Sequence, residues 1–291
     1  MTCGQPEDDN EGETSLARAN IMSHQLSAEQ IDTYQRDGFL SPLPVFTQDE
    51  VRQLRKQFED FEQRFGGVER AVSRRTDLHL LTGWGYDVVT DARIVEPVTS
   101  LLGPDVLLWS MNWFIKEPDN TKFVSFHQDA NYWGLEPHDV ATAWIALSDA
   151  GARTGPMEFI PGSHRGELYE QHNTFEKDNL LSRGQTIEAA LPTEDCFMTP
   201  LAAGEMSLHH VRTIHRSGPN TSSDRRIGMV LRYCATHVRQ TKGADTATLV
   251  AGEDQFGHFR LMQRPNVEYG EDEMAIHADA VANQGKMIMR D

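Results

Sequence analysis

The 291 residues carry 44 acidic against 27 basic side chains, a formal net charge of −17 that repels phosphate backbones and argues against a nucleic-acid partner. No run approaches the ~20 consecutive apolar residues of a membrane helix. The N-terminus lacks the basic patch and apolar core of a secretory signal. Cys3, Cys196 and Cys234 lie far apart without CxxC spacing. That pattern points away from a disulfide framework or a structural zinc site and suits a reducing cytoplasm.

Residues 1–25, with Glu7, Asp8, Asp9, Glu11 and Glu13 and few apolar side chains, read as a disordered acidic tail ahead of one folded domain over 26–291. Ser27 and Gln30 form a capping box for a short helix that Gly38 stops. Thr47 and Glu50 form a second box, and Val51, Leu54, Phe58, Phe61 and Phe65 follow at helical spacing. A third helical pattern runs through Ile94, Val95, Val98, Leu101 and Leu102 and closes at Gly103. From Val106 the texture changes to short strands, predicted over 106–115, 123–129, 140–147, 157–160, 205–210 and 226–233. Helices first and many short strands afterwards predict a mainly β fold with flanking helices, a sandwich or jelly roll. The polar stretch 167–201 has weak periodicity and reads as a long excursion of the kind that covers active sites.

The sharpest chemical signal is His127-Gln128-Asp129 at a strand end. Residues i and i+2 of a strand point to one side, so one imidazole and one carboxylate can share a metal. His215 supplies a third ligand, with His209 and His210 as competitors on the same approach. Two histidines and one carboxylate on one face of an octahedral ion leave three open positions, the non-haem Fe(II) oxygenase arrangement. A 2-oxo acid chelates two of them and O2 takes the last. A second triplet, His277-Ala278-Asp279, sits in a helix-like tail with no histidine downstream and is read as a solvated surface feature. Arg226 opens a strand eleven residues after His215, placed to grip a distal carboxylate in a bidentate pair, while Arg225 points to the opposite face.

Four blocks occur in order: Phe126-His-Gln-Asp-Ala-Asn-Tyr-Trp133, Thr142-Ala-Trp-Ile-Ala-Leu147, Gly155-Pro-Met-Glu-Phe-Ile-Pro-Gly-Ser-His-Arg165, and the span from His215 to Arg226. With them the chain, from about Gln30 to Arg264, resembles the phytanoyl-CoA dioxygenase (PhyH) family of Fe(II)/2-oxoglutarate oxygenases. The resemblance implies a double-stranded β-helix, a cupin-like jelly roll, with Fe(II) held by His127, Asp129 and His215. It places the distal ligand directly before a Ser-Gly turn, which selects His215 and leaves His210 a supporting or core role. It also implies 2-oxoglutarate held by Arg226 and Ser217 beside Trp144, with Lys116 and Asn112 as further contacts from the preceding strand. The turn 161–165, with His164, is carried by the family mainly as structure. Related halogenases replace the carboxylate with Ala or Gly, so the presence of Asp129 favours hydroxylation.

The substrate side is less determined. Tyr132 and Trp133 are candidates to wall it, with faces suited to an alkylammonium group. Arg183 and Gln185, in the motif 179–185, are candidates to fold over the site. Arg239, in the basic run 236–242, suggests an anionic group on the substrate. Together they point to a small anionic or zwitterionic metabolite, aminophosphonate-like or amino-acid-like. Tailoring of a larger natural product is the rival within the class. A zinc hydrolase and a non-catalytic jelly-roll binding protein are the rivals outside it. No membrane partner is expected, and the sequence does not speak to oligomeric state.

Overall fold

In the computed structural model, residues 23–289 are described, so the expected acidic tail falls outside them up to residue 22. Both capping boxes form. Ser27 Oγ accepts the Gln30 backbone N–H at 3.2 Å while Gln30 returns to the Ser27 N–H at 2.9 Å, opening α1 (Ala28–Asp37). Gly38 closes that helix at φ 84°, a left-handed conformation open to glycine. After β1 (Phe39–Pro44), Thr47 and Glu50 repeat the device for α2 (Gln48–Arg64), which buries Val51, Leu54, Phe58 and Phe61. Then come α3 (Val68–Arg75), α4 (Gly83–Val89) and α5 (Ala92–Leu102). The expected third helix is α5; α3 and α4 are too short, and α4 too glycine-rich, to show a periodic apolar face.

The strands follow as β2 (Val106–Lys116), β3 (Val124–His127), β4 (Leu135–Glu136), β5 (Val140–Ala146), β6 (Met157–Phe159), β7 (Gln171–Asn173) and β8 (Gln185–Ile187). A single turn, α6 (Ala130–Trp133), lies between β3 and β4. The rest are β9 (Phe197–Thr199), β10 (Glu205–His210), β11 (His215–Ser217), β12 (Arg226–Ala235), β13 (Arg239–Gln240), β14 (Thr246–Ala251) and β15 (Arg260–Leu261), before the closing helix α7 (Glu271–Met289). A seven-stranded sheet runs β1-β10-β5-β12-β2-β14-β15, and a four-stranded sheet runs β3-β11-β6-β9. These are the two faces of the predicted jelly roll. No helix among the described residues is long and apolar enough to cross a membrane.

Strand alternation decides what each face of the large sheet does. Ile227, Met229, Leu231 and Tyr233 of β12 join Phe58 and Phe61 of α2 and Ile94 and Val98 of α5 in the main core. Their neighbours Arg226, Gly228, Val230 and Arg232 point the other way, into the space between the sheets. Trp144 of β5 lies over Gly228, where a Cβ would stand 2.1 Å from Trp144 Cζ2. The Arg226 guanidinium sits 5.2 Å from the same ring. Glycine at 228 is therefore the condition for Trp144 to lie flat against the sheet.

The second HxD triplet corrects one expectation. His277 is buried at 3% exposure and its Nε2 donates to the Thr76 carbonyl at 2.7 Å, whereas Asp279 is exposed and pairs with Arg260 at 2.7 Å. On a helix, residues i and i+2 point to different sides, so the triplet cannot close on an ion. Only Asp279 is the solvated feature expected; His277 anchors α7.

Two outcomes follow from this packing. Gly228→Ala should lower stability by about 1–3 kcal/mol in chemical denaturation, since an added methyl overpacks against Trp144; an unchanged midpoint would show that the ring has room. Asp77 is 3% exposed and accepts the Met111 N–H at 2.8 Å, and burial pushes its carboxyl up to about 7 from 3.8. The folded state thus holds a proton that the unfolded state releases, and this contribution is lost as pH rises from about 4 to 7. Wild type should lose up to roughly 4 kcal/mol relative to Asp77→Asn across that window, read from denaturation midpoints.

Candidate active site

The pairing of β11 with β3 sets His215 directly opposite His127, with ring centroids 4.0 Å apart. Each ring is fixed by its own strand. His127 Nδ1 lies 2.9 Å from the Ser125 carbonyl and His215 Nδ1 lies 2.9 Å from the Thr213 carbonyl. A carbonyl only accepts, so both Nδ1 atoms carry the proton and both Nε2 lone pairs face inward. They meet the Asp129 carboxylate, His127 Nε2 at 3.5 Å and His215 Nε2 at 4.0 Å. The ligand atoms of the three residues lie within 4.8 Å of one another, and all three residues are buried.

Asp129 reaches this point differently from the expectation. The strand ends at His127, and Asp129 has helical backbone (φ −62°, ψ −34°) at the head of α6. A turn, not an extended i, i+2 pair, swings the carboxylate inward. One helical turn on, the Tyr132 hydroxyl donates to Asp129 Oδ1 at 2.7 Å and fixes its rotamer. Burial raises the Asp129 carboxyl, but hydrogen bonding from His127 and His209 and electrostatic attraction from the neighbouring imidazoles outweigh it and hold it well below the usual range. Burial holds the His215 imidazole well below its ordinary value, hence neutral. Two imidazoles presenting Nε2 and one carboxylate, converging with one side open, fit a divalent transition-metal ion.

The two competitors separate by alternation along β10. His209 points inward, its Nε2 3.9 Å from Asp129 Oδ2 and its ring 4.8 Å from that of His215. His210 points outward, accepts the Arg212 N–H at 3.1 Å and lies 5.4 Å from His164. His164 itself binds the Gln35 carbonyl at 3.1 Å, at the end of α1.

The triplet opens on a cavity of about 420 Å³ whose walls also include Trp144, Ser217 and Arg226. Arg226 is 1% exposed and its Nη1 donates to the Gly155 carbonyl at 2.6 Å. Its Nε has no partner among the described residues, and burial lowers the guanidinium to about 9. A planar cation held by stacking, with donor capacity unspent, fits the distal carboxylate of 2-oxoglutarate. Arg225 points away and binds Glu62 at 2.8 Å and Glu117 at 3.0 Å. Lys116 does not line the cavity. Its Nζ donates to Ser217 Oγ at 2.6 Å and to the Gly218 carbonyl, propping the Ser217 turn, and burial and then Arg226 lower the amine to about 6. Asn112 also lies off the cavity, donating to Ser110 Oγ and accepting from Thr76 Oγ1, each at 2.9 Å.

Among the candidate substrate residues, Tyr132 is taken by Asp129. The Trp133 ring is covered by the guanidinium of Arg232, 4.5 Å from its centroid, so the cation on that face is the protein's own. Arg183 and Gln185 lie beside β3 and not in the cavity wall; there Asn179 Nδ2 donates to Ser125 Oγ at 2.8 Å and the Leu180 N–H to the Phe123 carbonyl at 2.9 Å. Arg239, in the β13–β4 pair, lines a separate surface cavity with His138, His237 and His258. Three residues not singled out by sequence stand at the site. Gln128 accepts the Tyr169 N–H at 2.9 Å and donates to the Arg212 carbonyl at 2.8 Å, tying the excursion to the metal strand. Thr142 and Arg232 line the cavity beside His209. Alternation from Arg226 along β12 was the signal for Arg232.

Comparisons with known proteins agree with this geometry. Residues 34–228 match the family Phytanoyl-CoA dioxygenase (PhyH). A probable alpha-ketoglutarate-dependent hypophosphite dioxygenase from Stutzerimonas stutzeri is 31% identical over 231 residues, covering 72% of this chain and 79% of the relative. An ectoine dioxygenase from Halomonas elongata is 25% identical over 232 residues, covering 72% and 70%. The solved structure of a non-heme monooxygenase, ThoJ in its apo form, superposes with a TM-score of 0.80 at 29% identity, covering 89% of this chain and 97% of that one. The chain belongs to the phytanoyl-CoA dioxygenase (PhyH) family and is an Fe(II)/2-oxoglutarate-dependent dioxygenase.

Proposed function

We propose that this enzyme hydroxylates an unactivated C–H bond of a small anionic or zwitterionic metabolite, aminophosphonate-like or amino-acid-like. The observation that carries the reading is the charge on the cavity's lining. The cavity lies against His127, Asp129 and His215 and is walled on the far side by Trp144, Ser217 and Arg226. Apart from Asp129, its ionised walls are the guanidiniums of Arg216, Arg226 and Arg232, and Arg216 is neutralised by Glu158 at 2.8 Å. That lining favours anions. The hypophosphite dioxygenase relative, whose named substrate is a small oxyanion, supports the same class.

In this reading His127, Asp129 and His215 hold the ferrous ion, and Arg226 and Ser217 hold 2-oxoglutarate with Trp144 as its floor. Bound together, iron and 2-oxoglutarate activate O2 for C–H hydroxylation and yield succinate and carbon dioxide. The protein positions. Tyr132 keeps Asp129 turned to the metal, the Ser125 and Thr213 carbonyls keep both imidazoles in one tautomer, and Lys116 holds Ser217 at the co-substrate end. A carboxylate at 129 fills the ligand position that a halide needs, which supports hydroxylation over halogenation. A zinc hydrolase would leave the buried Arg226 without a task. We place the activity in a single domain over 26–291, in the cytoplasm, where the thiols of Cys196 and Cys234 stay unpaired.

The test is succinate formation with Fe(II) across aminophosphonates, betaines, amino acids and acyl-CoAs. The expected stimulation comes from the small zwitterions; stimulation by acyl-CoAs alone would overturn the substrate class. Asp129→Ala should abolish hydroxylation. Arg226→Ala should raise the 2-oxoglutarate requirement roughly ten- to a hundred-fold, the loss of a charged hydrogen-bonded pair, with iron binding retained. Unchanged co-substrate affinity in that variant would overturn the role given to Arg226.

A further inference from the structure

We propose that Arg232, with Thr142 and His209 on the same rung of the large sheet, is the seat of the substrate's oxyanion, a carboxylate or a phosphorus oxyanion. The inference rests on the oxygenase reading above and assigns the residues that select its substrate. Register places the three in line. Arg232 of β12 pairs with Thr142 of β5, and Thr142 pairs with His209 of β10. All three side chains face inward and line the cavity, at 8%, 1% and 2% exposure.

None of the three is satisfied by the protein in the usual way. The Arg232 guanidinium makes no hydrogen bond or salt bridge with any of the described residues. Its Nε, the Thr142 hydroxyl and His209 Nδ1 are buried without partners. Buried polar groups in native proteins are paired in nine cases or more out of ten. Three orphans on one rung, all facing one cavity, are what a missing ligand leaves. The guanidinium is already placed for it, since Trp133 holds its plane by stacking at 4.5 Å.

Charge makes the same demand. With Fe(II) and the 2-oxoglutarate dianion bound, the ion, the co-substrate, Asp129 and Arg226 sum to zero. Lys116, lowered to about 6 by burial and Arg226, adds nothing near neutral pH. Asp77, whose carboxyl burial pushes up to about 7, accepts the Met111 N–H and feels the charge of Arg232 without making a salt bridge to it. Arg232 is left without a direct carboxylate partner among the described residues, a place that an anion from outside the chain can fill.

The co-substrate does not meet that demand. Arg226 and Arg232 are six residues apart on one strand, roughly 20 Å at the usual rise, so they serve opposite ends of the cavity. The metal ligands lie near the Arg232 rung, with His209 Nε2 3.9 Å from Asp129 Oδ2. A substrate anchored there presents carbon close to its own anionic group, which favours a short molecule.

The test uses the anaerobic Fe(II)·2-oxoglutarate enzyme, titrated calorimetrically with methylphosphonate and, separately, with acetate. The visible charge-transfer band of the iron–2-oxoglutarate complex reports the co-substrate independently. Wild type should bind at least one probe, and which one distinguishes the phosphorus from the carboxylate class. Arg232→Met should weaken that binding roughly ten- to a hundred-fold, with the 2-oxoglutarate titration of the band within about twofold. Arg232→Lys should recover part of the loss. Thr142→Val, nearly isosteric, should weaken it several-fold and guards against a folding defect at 232. Probe binding unchanged in Arg232→Met and Thr142→Val, or no probe binding by wild type with the band intact, overturns the proposal. A wild-type protein that binds iron and shows no band sinks the oxygenase reading itself, and the inference falls with it.

Discussion

Antiparallel pairing between two very short strands, β3 and β11, is the constraint on which the centre depends. It brings His127 and His215 into register as direct cross-strand neighbours, so the geometry of the metal site is a property of backbone hydrogen bonding before it is one of side chains. Strands of four and three residues hold little on their own. Their support comes from outside the sheet. Ser163 Oγ accepts the Ile214 N–H at 2.9 Å, Ile214 returns its carbonyl to the Ile160 N–H at 3.0 Å, and Thr213 Oγ1 donates to the Gly38 carbonyl at 2.8 Å. The turn 161–165 and the end of α1 are therefore the scaffold of the distal histidine, which explains why a turn motif without chemistry of its own stands between the two halves of the ligand set. On the other strand, Asn179 and Gln128 tie the polar excursion to β3.

Adjacent arginines show how firmly alternation sorts function from stability. Arg225 turns outward and links Glu62 of α2 to Glu117, a half-buried ion-pair cluster between helix and sheet that Arg75 joins through Glu62. Arg226 turns inward beneath Trp144 with donors to spare. A one-residue slip of β12 would exchange them and fill the cavity with the apolar set that now faces the helices. The pairing of β12 with both β2 and β5 along nearly its whole length prevents that slip.

Much of this was legible in the chain because it is local. Both capping boxes, the Gly38 stop, α5 and the main strands depend on residues a few positions apart, and they appear where the spacing puts them. The metal triplet was legible for another reason: few residue types ligate iron, and their order along the chain narrows the choice. What stayed hidden depends on which face of which sheet turns inward. Asp129 leaves the strand after one residue, a change of backbone state that HxD spacing does not reveal. Trp133 and Arg239 follow aromatic and basic chemistry that looks alike whether it meets a ligand, a neighbouring side chain or solvent; one is stacked by Arg232 and the other stands at the surface. Arg232, in mid-strand between apolar residues, is the signal most easily passed over, because an arginine in a strand is ordinarily read as reaching solvent.

The contrast between a chain of net charge −17 and a cavity lined by arginines then has a physical sense. At physiological ionic strength the Debye length is ≈ 8 Å, so the acidic surface is largely screened from an approaching metabolite beyond that distance. In the cavity wall Arg226 and Arg232 are buried, and a guanidinium there acts at a much lower effective dielectric. Surface charge therefore governs solubility and disfavours polyanions, while a few buried cations govern which small anions stay. A long polyanion such as a nucleic acid has to meet the surface field along its length. A small metabolite with one anionic group meets it only in passing.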